Sequence, residues 1–260
     1  MTAPLARELI EFAHAMADAA RAMLLAAYRG SFAVEVKEDA SPVTELDRAV
    51  EARLREIVAE HRPGDGFVGE ELPDDRADAE LVWTADPIDG TKPFVAGAPL
   101  FGTLIGLRRG GRYVLGLVDH SVTGDRWIGA EGRGASLNGK AIHTRRCAAL
   151  GLATATSSGP GVVADEAWRR MRPLQRACRW TMFGHDITDP GALAMGLQDI
   201  IVDAELGEDD WAAAAALIEA AGGTVTDWKG HPLSPASDGT FLALGDRALL
   251  MPCLDLLRPF

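Results

Sequence analysis

The sequence predicts a layered fold of mixed helices and strands, of the α/β or α+β class. Three observations carry this. A long amphipathic helical pattern opens the chain and an alanine-rich one recurs late in it. Short apolar runs separated by Gly-rich turns fill the middle, as in an antiparallel meander. In the second half, strand-like and helix-like segments alternate.

From Leu5 to Tyr28, residues Leu5, Leu9, Ala13, Met16, Ala20, Met23, Leu24 and Ala27 recur at helical spacing. Pro4 suits a first-turn position and Gly30 a stop. Phe32 to Lys37 alternates and reads as extended, and Lys37-Glu38-Asp39-Ala40-Ser41 is polar enough to be mobile. Thr44 reads as the N-cap of a second helix with Asp47 at N3, an acidic capping box. Its inner face is Val50, Leu54, Ile57 and Val58. Phe67-Val68-Gly69 is a short strand running into Glu70-Glu71. Leu81-Val82-Trp83 reads as the end of a buried strand, because Pro87 has a fixed φ and no amide hydrogen and cannot simply continue a ladder. Phe101 to Leu107, Tyr113 to Asp119 and Arg126 to Ala130 read as meander strands, and Asn138-Gly139 is a hairpin signal. Leu152 to Ser157 reads as a strand, Ala164 to Arg176 as a helix, Gly191 to Gly196 as part of another, and Asp199 to Ala204 as a strand. Asp210 to Ala221 is an alanine-rich helix stopped at Gly222-Gly223. Thr224 to Trp228 and a helix near Arg247 to Leu257 complete the pattern.

The 260 residues can bury a sizeable core, and no linker marks a clean cut. The expectation is one domain over 1–260, with an N-terminal lobe of about 1–146 and a C-terminal lobe of about 147–260. A net charge of −12 argues against nucleic acid as a partner, since sequence-independent binding needs a basic surface. No apolar run reaches the roughly 18 residues of a membrane span, and the N-terminal stretch lacks the basic start and apolar core of a signal peptide. Cys147, Cys178 and Cys253 are odd in number and widely spaced, implying neither a disulfide framework nor a zinc motif. A reducing cytoplasm is the expected location.

Chemistry is expected at Asp86-Pro87-Ile88-Asp89-Gly90-Thr91, where two carboxylates flank a forced bend. Like charges held that close repel unless a cation or a proton sits between them. Asp47, Glu70 and Asp210 also lie at element edges. Several carboxylates from separate elements, with no matching His or Cys cluster, suit a hard cation such as Mg²⁺. Each has a plainer reading too: Asp47 as a helix cap, Asp210 as a complement to a helix dipole, Glu70-Glu71 as a solvated pair, and the Asp86 segment as a polar turn. The six His residues show no zinc spacing, Ser157-Ser158-Gly159-Pro160 is no nucleophile elbow, and no Walker or dinucleotide loop is present. Asp186 and Asp189 read as helix starts.

Gly69-Glu70-Glu71, Asp86-Pro87-Ile88-Asp89-Gly90-Thr91 with Phe94, Gly134-Ala135 with Asn138-Gly139-Lys140, and Asp210-Trp211-Ala212-Ala213 with Glu219-Ala220-Ala221-Gly222-Gly223 together resemble the inositol monophosphatase superfamily. The resemblance implies an αβαβα layered sandwich and a Mg²⁺-dependent phosphatase with two to three ions per active site. It implies Glu70, Asp86 and the Ile88 carbonyl as ligands of a first ion, and Asp86, Asp89 and Asp210 as ligands of a second. Asp47 and Thr91, with Glu70, would orient and deprotonate the attacking water. Asp89, Gly90, Thr91, Asp203 and Asp210 would contact substrate, with the amides of Gly90 and Thr91 holding phosphate at a helix start. Asp209 is a rival to Asp210, which fits the family's following Ala-Ala register better.

Thr91-Lys92-Pro93-Phe94 and Pro99 to Ile105 look most like the histidinol-phosphate phosphatase branch, which implies histidine biosynthesis. The chain departs from that branch in lacking a tyrosine-containing segment after Gly184-His185-Asp186. Inositol-1-monophosphatase and 3'(2'),5'-bisphosphate nucleotidase are the alternatives, and a regulatory binding protein on the same scaffold is the non-enzyme one. The partner expected is a small phosphorylated metabolite, and the resemblance implies a homodimer.

Overall fold

A computed structural model of the chain describes residues 4–36 and 42–258, so the polar stretch 37–41 lies outside the described residues. Helix α1 (Arg7–Ala27) starts later than Pro4 suggests. The Leu5 amide donates to the Glu131 carbonyl, which ties the preceding residues to the sheet before the helix can begin. Strands β1 (Val34–Val36) and β2 (Pro42–Thr44) form a small antiparallel pair. Helix α2 (Glu45–His61) follows at once, with the Thr44–Asp47 capping box formed as expected.

The large sheet has seven strands in chain order: β3 (Gly66–Gly69), β4 (Leu81–Asp89), β5 (Gly102–Arg109), β6 (Arg112–His120), β7 (Arg126–Ala130), β8 (Gly134–Leu137) and β9 (Lys140–Ile142). Only β3 and β4 pair in parallel; the rest is the expected meander. Between β8 and β9, Asn138 and Gly139 have φ of 47° and 80°, the left-handed pair that a two-residue hairpin requires.

Strand β4 corrects the reading that Pro87 ends it. Pairing with β5 runs through Asp86↔Leu104, shifts register, and resumes at Asp89↔Gly102. The extra residue makes a bulge, where a proline without an amide hydrogen is tolerated. The Thr103 hydroxyl donates to the Pro87 carbonyl at 3.0 Å, tying the bulge to its neighbour.

The short helix α3 (Thr91–Val95) leaves the end of β4. Residues 143–153 then lead to the second sheet, ordered β11-β10-β12-β14-β13, from β10 (Thr154–Ser157), β11 (Trp180–Phe183), β12 (Ile200–Asp203), β13 (Thr224–Thr226) and β14 (Phe241–Leu244). Its helices are α4 (Asp165–Ala177), α5 (Asp189–Ala194), α6 (Glu208–Ala220) and α7 (Leu250–Leu257). Strands β11 and β14 lack a sequence signal: β11 is a half-exposed edge without alternation, and β14 is a four-residue buried run.

Helices α1 and α2 cover one face of the large sheet, α5 and α6 lie between the sheets, and α4 and α7 close the far face. The result is an αβαβα sandwich. Alanines let α6 serve as the filling, with Trp211 to Ile218 continuously buried. Opposite it, a Cβ on Gly116 would fall 1.9 Å from the Ala213 carbonyl oxygen, so glycine there permits the close packing. Among the described residues no helix is long and apolar enough to cross a membrane.

Candidate active site

Parallel pairing of β3 with β4 sets Gly69 opposite Ala85, so Glu70 and Asp86 leave adjacent strands at the same level. Beyond Asp86 the bulge redirects the chain, and Asp86 Oδ1 accepts from the Ile88 amide at 2.9 Å. Gly90 then adopts φ +83° to start α3, where a Cβ would lie 2.3 Å from the Leu100 carbonyl oxygen. No other residue fits that turn without strain. Thr91 follows, and its hydroxyl reaches the Ile88 carbonyl oxygen at 2.9 Å and Asp47 Oδ1 at 3.5 Å.

Asp47 is buried at the third position of α2, where its Oδ2 accepts from the Thr44 amide at 2.7 Å and the Thr44 hydroxyl at 2.6 Å. The cap and the approach to Thr91 use different oxygens, so the two readings of Asp47 are compatible. Asp210 sits at the third position of α6, which begins at Glu208, and its Oδ2 accepts from the Gly207 amide at 2.7 Å. The plainer reading of Asp210 also holds, because its carboxylate stands at a helix start.

These elements converge on one cleft lined by Glu70, Asp86, Ile88, Asp89, Gly90, Thr91, Lys92, Pro93, Val162, Asp186 and Asp210. Asp47 reaches it through Thr91. A second cavity adjoins the first and shares Asp89, Asp186 and Asp210 with it. Its polar wall adds Ser157, Ser158, Asp189 and Asp203, and its apolar wall includes Leu104, Ile201, Trp211 and Phe241. Asp210, rather than Asp209, lines both cavities.

The electrostatics are those of crowded carboxylates. Burial, then Glu70, Asp89 and Asp210, hold the Asp86 carboxyl well above its ordinary range. Asp89 keeps some exposure, yet desolvation followed by Asp186, Asp210 and Asp189 lifts it likewise. Asp209 rises to about 8, through burial first and Asp210 second. In the second cavity burial lifts Asp189 to about 7, against hydrogen bonds from Gln198 and Thr156. Asp203 is also raised by burial, while its Oδ2 accepts from the Ser158 amide at 2.8 Å and hydroxyl at 2.6 Å.

Among the described residues, no three His, Cys, Asp or Glu side chains already converge as a finished cage. Asp86 and Asp210 each turn one oxygen to a backbone amide instead. The donors lining the cleft are nonetheless all oxygen, and Lys92 is the only basic residue among the described ones there. Acidic oxygens that raise one another's proton affinity fit a hard divalent cation, which would replace the protons.

Asp186, Asp189 and Ser158 were not among the expected site residues. Asp186 and Asp189 do begin helical turns, as expected, but both also face the cavities. Asp186 holds a left-handed φ of +40°, and nothing local in the sequence marks that strain. Glu51 was also missed; an acid among the inward positions Val50, Leu54 and Ile57 was its signal.

The profile of the inositol monophosphatase family matches residues 5–251. A bifunctional phosphatase IMPL2 of the Arabidopsis thaliana chloroplast is 37% identical over 228 residues, 86% of this chain, and the chain spans 66% of that protein's length. A histidinol-phosphatase of Mycobacterium tuberculosis is 32% identical, over 76% of this chain and 78% of its own. The solved structure of an inositol monophosphatase from Zymomonas mobilis superposes with a TM-score of 0.87 at 37% identity, covering 96% of this chain and 98% of that one. The chain therefore belongs to the inositol monophosphatase family and is a phosphatase of that family.

Proposed function

We propose that the protein is a Mg²⁺-dependent phosphomonoesterase that hydrolyses L-histidinol phosphate to L-histidinol and phosphate. The observation that carries the choice of substrate is the second cavity. Its polar wall bears Asp186, Asp189 and Asp203 and, among the described residues, no basic one, beside an apolar wall with Trp211 and Phe241. An amino alcohol with an aromatic ring offers a cation to the first wall and a flat apolar surface to the second.

In this reading phosphate occupies the cleft beside Gly90 and Thr91. Glu70, Asp86 and the Ile88 carbonyl would hold one ion, and Asp86, Asp89 and Asp210 another. Bound Mg²⁺ would supply Lewis-acid stabilisation of charge on the phosphoryl oxygens and would lower the pKa of a bound water. The Thr91 hydroxyl orients the attacking water by accepting its hydrogen bond while passing its own proton toward Asp47 Oδ1. Burial raises the Asp47 pKa, which makes it a better proton acceptor.

A second reading is myo-inositol monophosphate, favoured by Ser157 and Ser158 in the same wall, which can bond sugar hydroxyls. A nucleoside bisphosphate suits the site less, since a second phosphate would meet the acidic wall. Phosphate release measured side by side on the three substrates, with millimolar Mg²⁺, tests the proposal. Histidinol phosphate should give the highest kcat/KM; a preference for inositol phosphate would replace the substrate, and no release from any would favour a regulatory scaffold.

A further inference from the structure

The turn that carries Glu70 is gripped from behind by α2. Glu51 is fully buried, one helical turn beyond Asp47. Its Oε2 accepts from the Glu71 amide at 2.7 Å and its Oε1 from the Leu72 amide at 3.2 Å. Arg55, a turn further on, donates from Nε to Glu51 Oε1 at 2.8 Å and from Nη2 to the Leu72 carbonyl oxygen at 2.9 Å. The Arg55 guanidinium also lies 4.7 Å from the ring centroid of Phe67, in β3. Three backbone groups in the two residues after Glu70 are thus bound to one ion pair. Just before Glu70, a Cβ on Gly69 would fall 2.5 Å from Glu51 Oε1, so the same carboxylate also fills the space behind residue 69.

Replacing a largely buried ion pair by well-packed apolar side chains of similar volume is often neutral or stabilising, so the pair itself is weak evidence for a stabilising role. Here its bonds go to the backbone of a loop, not to the core. An apolar side chain at position 51 would leave the Glu71 and Leu72 amides without these acceptors. The consequence falls on the residue between the two gripped points, whose side chain lines the cleft opposite Asp86.

We propose that Glu51 is a positioning residue for cation binding: with Arg55 it fixes the turn at residues 70–72 and thereby the Glu70 carboxylate beside Asp86. The inference rests on the reading of Glu70 as a cation ligand. Helix α2 then sets two parts of the site at once, Asp47 in its first turn and the Glu70 turn through Glu51. Mutation of groups that orient metal ligands typically weakens metal binding about 10- to 100-fold.

The test is Mn²⁺ binding to the cation-free chain, followed by the electron paramagnetic resonance of free Mn²⁺, with thermal unfolding in parallel. Glu51→Gln places an amide group where two backbone donors need acceptors. Gly69→Ala pushes on the same carboxylate from the other side and keeps its charge, so the test survives if Glu51→Gln does not fold. Leu54→Ala, in the core face of the same helix, is the structural control. Glu51→Gln and Gly69→Ala should raise the Mn²⁺ Kd about 10-fold or more, while Leu54→Ala melts earlier and binds Mn²⁺ like the wild type. Wild-type affinity in both turn variants overturns the inference, as does equal weakening by Leu54→Ala. A wild-type chain that binds no Mn²⁺ overturns the cation reading of Glu70 itself, which is a separate result.

Discussion

Thr91 Oγ1 lies 3.5 Å from Asp47 Oδ1, across 44 residues of sequence. A strand bulge, a left-handed glycine and a helix cap are all needed to bring the two side chains together. The pair separates a role in chemistry from a role in folding, since Asp47 caps α2 whereas the Thr91 hydroxyl, among the described residues, bonds only the bulge and Asp47.

Thr91→Ala should therefore lower kcat by about 100-fold or more, as expected for loss of a group that aligns and deprotonates the nucleophile, with stability unchanged. Asp47→Asn should lower kcat comparably and also cost about 1 kcal/mol through the weakened cap. Steady-state kinetics and urea unfolding of both variants check this. An Asp47→Asn protein with full turnover would remove Asp47 from the reaction.

Gly90→Ala places a Cβ 2.3 Å from the Leu100 carbonyl oxygen at a φ of +83°. It should destabilise by more than about 1 kcal/mol and reduce turnover by shifting Asp89 and Thr91. Urea unfolding and kcat together read the effect. A stable, active Gly90→Ala enzyme would mean that the turn is not needed to present these residues.

Asp189 gives a pH signature. Burial lifts its pKa from 3.8 to about 7 in the folded chain, so the folded state favours the protonated form. The resulting stabilisation is complete below pH about 3.8 and is lost as pH rises to about 7. Without divalent cations, Asp189→Asn should flatten the fall in stability across that window, measured by urea unfolding at several pH values. The same variant should lose about 10-fold or more in kcat/KM for histidinol phosphate, the scale of one hydrogen bond to a charged group, and little for inositol phosphate.

Much of the site was legible because its residues announce themselves locally. Thr44 and Asp47 stand three apart at a helix start, and Asp86 to Thr91 is a dense turn of acids, Pro and Gly. The continuation of β4 through Pro87 was not legible, since a bulge depends on Thr103 and the β5 register, which come later in the chain. Asp186, Asp189 and Ser158 were hidden for a related reason. Each has an ordinary local role at a helix or strand end, and only packing of α6 between the two sheets makes them walls of one cavity. Glu51 shows the same limit, because the amides it serves lie 20 and 21 residues away.

The most direct test of the account is phosphate release from histidinol phosphate by wild type and Asp89→Asn across a Mg²⁺ titration, with melting temperatures measured alongside. The wild type should be inactive without Mg²⁺ and saturate as it is added, whereas Asp89→Asn should fold and stay inactive at every concentration. Substantial Mg²⁺-dependent turnover by Asp89→Asn would contradict the assignment of the carboxylate cluster as the catalytic centre.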